Sequence, residues 1–133
     1  MKKRVFILLI VLAAFSKTSV AEIVETQSEE GKFLIKAQTE PDHPIVGNNV
    51  VTLTLLDVRS RNPVEGVGIE AVPWMTIHGH GSSKKTRIKE KGKGIYVVED
   101  VSFTMAGDWD LLITLRKDKI EDKAIVTFKN VKK

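Results

Sequence analysis

Cysteine is absent from the chain. That absence rules out disulfide staples, a thiol nucleophile, thiolate metal ligands and the lipid-modified cysteine of an exported lipoprotein. Enzyme signatures are missing as well: there is no Gly-x-Ser-x-Gly, no phosphate-binding glycine loop and no His-Glu-x-x-His, which removes the common hydrolase, nucleotide-binding and zinc-protease patterns. Ser82 and Ser83 follow His80, but residues crowded into one loop do not make a Ser-His-Asp triad. The reading is of a protein that binds rather than catalyses.

Long apolar runs are also scarce. The longest spans residues 5–15, short of the roughly 20 residues a membrane-crossing helix needs. Lys2, Lys3 and Arg4 precede it and Ser19-Val20-Ala21 follows, placing small residues where a signal peptidase reads. We expect a signal peptide over residues 1–21, cleavage between Ala21 and Glu22, and a single mature domain over 22–133 without a stable membrane span, in the periplasm or otherwise outside the cytoplasm.

An excess of positive charge is missing from that mature domain. The chain holds 21 basic and 17 acidic residues. Four of the basic ones, Lys2, Lys3, Arg4 and Lys17, fall in the signal segment with no acid beside them, leaving 17 of each sign. The pI of about 9.3 therefore belongs to targeting, and no nucleic-acid partner is expected, since that would require basic residues clustered on the folded domain.

Beyond the signal no window keeps a helical period. Period-two alternation recurs instead in short bursts at about 33–37, 50–58, 67–71, 84–90, 95–101, 109–116 and 124–128, separated by Gly, Pro, Asn and Asp. This pattern predicts an all-β domain: an antiparallel immunoglobulin-like sandwich of about seven strands. The basic residues from Lys84 to Lys93 read as the solvated face of a hairpin that protects a sheet edge. Tyr96 reads as a buried ring with its hydroxyl bonded to backbone.

One stretch concentrates metal-competent side chains: Met75, His78 and His80, in a loop after the third predicted strand. A second methionine, Met105, precedes Trp109. In a sandwich the two connections can share one end, giving a site of Met75, His78, His80 and Met105. Imidazole suits copper, zinc and nickel, and thioether sulfur adds affinity for soft Cu(I), so the mixture points to copper. Thioethers also resist an oxidising compartment better than thiolates. Trp74 and Trp109 are candidates to lie beside the ion, where a ring face favours a cation. His43, between two turn prolines, reads as a surface residue. The alternative is a plain polar His-Gly-His-Gly loop with methionines filling the core, in a non-catalytic interaction module of the cell envelope.

Pro41 to Asn49 with Val46-Gly47-Asn48, then Trp74 to Ser83, Gly94-Ile95-Tyr96 and Phe103 to Trp109, in this order, resemble the YtkA-like/FixH-like family. The resemblance covers about residues 33–128. It implies an exported or membrane-anchored immunoglobulin-like sandwich linked to copper handling or respiratory-oxidase assembly, with Met75, His78, His80 and Met105 on the family's His/Met positions and a copper-accepting or envelope protein as partner. Two features depart from it. Thr76-Ile77-His78 stands where a proline would follow the methionine, and the short apolar run argues against the membrane helix of FixH proper.

Overall fold

The computed structural model describes residues 21–133. The expected signal peptide, apart from Ala21, lies outside them. Nine strands form: β1 (Ile23–Gln27), β2 (Phe33–Glu40), β3 (Gly47–Asp57), β4 (Gly68–Met75), β5 (His80–Gly81), β6 (Arg87–Gly92), β7 (Ile95–Phe103), β8 (Gly107–Lys117) and β9 (Ile120–Val131). They pair antiparallel into two sheets, one ordered β1-β2-β3-β7-β6 and the other β5-β4-β8-β9. No helix among the described residues is long and apolar enough to cross a membrane.

The alternation seen in the sequence becomes the division between core and surface. On β8, Trp109, Leu111, Ile113 and Leu115 point inward and are buried, while Asp110, Leu112 and Thr114 between them face outward. Their neighbours on β9 repeat the pattern in register: Trp109 lies opposite Phe128, Leu111 opposite Val126 and Ile113 opposite Ala124. The inner face of the other sheet supplies Val51, Leu53, Leu55, Tyr96 and Val98. Each large apolar side chain removed from water this way stabilises the fold by about 1.5–3 kcal/mol before entropy is charged against it. The core thus does without disulfides.

Two strands exceed the seven expected. β1 is an edge strand whose Ile23 stays 57% exposed, so it lacks the strong apolar alternation by which the others were read. β5 is only two residues long, below any detectable period. The 84–101 hairpin appears as expected, with β6 on the sheet edge and its charges paired to β7: Arg87 and Lys89 reach Glu99 at 3.3 and 3.1 Å.

Tyr96 spans the two sheets' connection. Its ring is 1% exposed, and its hydroxyl donates to the Val64 carbonyl at 3.0 Å and accepts the Val67 N–H at 3.2 Å. Those bonds tie the segment between β3 and β4 onto β7. The outer edge of β4 is finished differently. β5 pairs only with Trp74 and Met75, and below it Pro73 offers no N–H while the Thr86 hydroxyl donates to the Ala71 carbonyl at 2.6 Å.

Candidate metal centre

The chain reverses tightly after β4. The Met75 carbonyl accepts the N–H of His78 at 3.1 Å and that of Gly79 at 2.9 Å, and Gly79 takes a φ of 67°, which glycine adopts without steric cost. His80 then pairs with Met75, and Gly81 with Trp74. Because residues directly opposite in a sheet share a face, Met75 and His80 lie on the inner face, and Trp74 and Gly81 on the outer one. A Cβ at Gly81 would stand 2.9 Å from Cε3 of Trp74 and 2.6 Å from the Pro73 carbonyl oxygen. Glycine there lets the indole lie flat across the strand. The two imidazoles stack at a centroid separation of 5.9 Å, and the edge-on neighbour of His80 is Trp109, at 6.1 Å. Trp109 therefore stands beside the histidines, while Trp74 occupies the opposite face of its strand.

The connection from β7 to β8 closes the same end. Indole Nε1 of Trp109 donates to the Met105 carbonyl at 2.9 Å, fixing the turn that carries this second methionine. Gly107 follows with φ at 131°, and a Cβ on it would lie 2.8 Å from Cε of Met75. The missing side chain lets the Met75 methyl group rest on the β8 backbone. Phe103 and Phe128 wall the region from below, at 5.2 Å from Trp109 and 5.9 Å from Phe103 respectively. The loop after β4 and the turn before Trp109 thus share one end of the sandwich, as the sequence led us to expect. The two thioethers differ in setting: Met75 is 2% exposed and Met105 40%. His43 is exposed in the loop after β2.

Carboxylates fasten the histidine segment at both ends. Asp110 of β8, opposite Trp74 of β4 on one side and Thr127 of β9 on the other, accepts the Thr76 hydroxyl at 2.5 Å and the Thr127 hydroxyl at 2.7 Å. Asp100 binds the Lys84 ammonium at 2.9 Å and Nε of Arg87 at 2.6 Å. It sits at a strand irregularity with φ of 61°, a conformation aspartate tolerates better than most residues. Lys84, followed by Arg87, holds the Asp100 carboxyl below the usual carboxylate range. Neither aspartate stood out in the sequence, because only the strand register reveals what each one faces.

Among the described residues no three His, Cys, Asp or Glu side chains gather in a metal-binding group. Two imidazoles in the company of thioethers remain, a donor set that suits a soft, low-coordinate ion such as Cu(I) better than zinc.

No curated protein sequence matches the chain significantly. Among solved structures, a copper-bound variant of FetP from a uropathogenic Escherichia coli strain is similar, with a TM-score of 0.51 at 9% identity, over 84% of this chain and 95% of that one. At such identity the likeness speaks to the fold. The profile of the YtkA-like family matches residues 25–114, from β1 through most of β8, and so takes in both the histidine turn and the Met105 turn. The chain belongs to the YtkA-like family.

Proposed function

We propose that this domain is an extracytoplasmic copper-binding accessory protein that holds one copper ion, as Cu(I), with Met75, His78, His80 and Met105 and passes it to a protein acceptor. The observation that supports the reading is the convergence of two histidines and the two methionine-bearing turns on one end of the sandwich. His80 stands opposite Met75, and Met75 meets the backbone of Gly107 two residues beyond Met105. Family membership and the likeness to a copper-bound protein point the same way. A carrier must also release its ion, and a short surface turn with few ligands suits exchange. No chemical step is required of the chain, and export with cleavage after Ala21 completes the proposal.

Titration of the mature protein with Cu(I) against a competing chelator tests it. One equivalent is expected to bind, and His78→Asn with His80→Asn to weaken binding on the order of tenfold or more, each decade being about 1.4 kcal/mol. Absence of binding, or affinity indifferent to both histidines, would sink the proposal.

A second reading draws on the burial of Met75, which at 2% exposure also serves as core packing. In that reading the domain is a metal-free assembly module of the cell envelope, and cells carrying the two Asn substitutions behave as wild type.

A further inference from the structure

The turn that carries His78 is short, exposed and built without proline. Its tip residue Ile77 is 78% exposed, and two of its backbone bonds converge on one acceptor, the Met75 carbonyl. Such a turn, left to those bonds alone, frays readily. Yet its first residue is held from outside. The Thr76 hydroxyl donates to Oδ2 of Asp110 at 2.5 Å, and Oδ1 of the same carboxylate accepts the Thr127 hydroxyl at 2.7 Å. Asp110 is on the middle strand of its three-strand row, flanked in register by Trp74 and Thr127, so the anchor is fixed by the sheet rather than by another loop.

We propose that Thr76 and Asp110 are positioning residues that hold the His78 turn in its ligand-presenting conformation before any metal arrives, with Thr127 orienting the carboxylate. The purpose of that order rests on the copper reading above; the clasp itself does not. The argument is one of preorganisation. A charge-assisted hydrogen bond is shorter and roughly twice as strong as a neutral one, and fixing Thr76 restricts the residue from which the turn departs. The bond from His78 N–H to the Met75 carbonyl at 3.1 Å makes Met75 to His78 a β-turn with Thr76 in its second position. Proline favours that position, since its ring presets the backbone angle. Thr76 with Asp110 thus supplies from outside the turn the restraint that a proline ring would supply from within it.

The test uses the mature, metal-free protein and four variants. Amide exchange and nitrogen-15 relaxation at residues 76–79 read the order of the turn, and Cu(I) competition reads its consequence. Thr76→Val, nearly isosteric and on the surface, and Asp110→Ala are each expected to loosen the turn and to weaken Cu(I) binding on the order of tenfold, the scale on which outer groups tune ligands. Thr127→Val should do so more mildly. Thr76→Pro should keep both the order of the turn and the affinity close to wild type despite losing the hydroxyl, which a merely structural hydrogen bond would not predict. Thermal melts confirm that each variant folds. Unchanged order in both Thr76→Val and Asp110→Ala would overturn the inference, as would a loosened turn with unchanged copper affinity. Should wild type bind no copper while the variants still loosen, the copper reading falls and the clasp stands.

Discussion

At the scale of single residues, Met75 is buried packing in the fold and a ligand in the proposed site, and substitution can separate the two. Leucine nearly conserves its volume, so Met75→Leu should change stability by less than about 1.5 kcal/mol while removing the sulfur. Met105→Leu, at a 40% exposed position, should stay within about 0.5 kcal/mol. Both are expected to weaken Cu(I) binding; urea unfolding beside chelator competition reads the two effects, and a Met75→Leu protein with undiminished affinity would leave that residue to packing alone. The candidate donors could be singled out in the sequence because histidine and methionine are rare here, three of each in the whole chain. The placing of the tryptophans was not. Whether Trp74 or Trp109 stands by His80 depends on face parity, and that parity is set by a two-residue strand pairing Trp74 with Gly81. Thr76 and Asp110 were equally silent, being ordinary polar types whose meeting exists only through cross-strand register.

Strands that bury one face announced themselves by alternation, as β3, β8 and the 84–101 hairpin did. Those that earn their place by edge pairing, β1 and β5, did not, since pairing leaves no periodic mark on the sequence. The element that follows the histidines makes its own prediction. Lys84 and Arg87 tie the start of the β6 hairpin to Asp100, whose carboxyl is held below its ordinary range, first by Lys84 and then by Arg87. A carboxyl lowered in the folded state stabilises above its unfolded value, about 3.9, and that contribution disappears as pH falls through the lower, folded value. Asp100→Asn keeps a residue that accepts the positive φ. Its melting temperature should therefore lie below wild type at pH 7 in low salt, and the gap should close in acid below about pH 4 and narrow at high ionic strength. A gap independent of pH would show that the tie is not electrostatic.

For the molecule as a whole, neutrality of the mature domain depends on where the chain is cut. Expression of the full chain in a bacterium should yield a secreted or periplasmic form beginning at Glu22, and intact-mass measurement decides this, retention of residues 1–21 being the contrary result. The sandwich was legible at this scale because seven bursts of alternation at short spacing admit few architectures, and the order of motifs from Val46-Gly47-Asn48 to Trp109 carried the family. The sheet order that sets β4 beside β8, and so gathers the metal-competent end, belongs to tertiary pairing and had no signature along the chain. The finish of the β4 edge has a further consequence. A β-rich chain is at its most vulnerable when an open strand can recruit a neighbour's strand. Here Pro73 removes one donor, Thr86 occupies the Ala71 carbonyl, and β6 meets solvent with the exposed charges of Arg87, Lys89, Glu90 and Lys91, so these margins resist the pairing from which an amyloid template would grow.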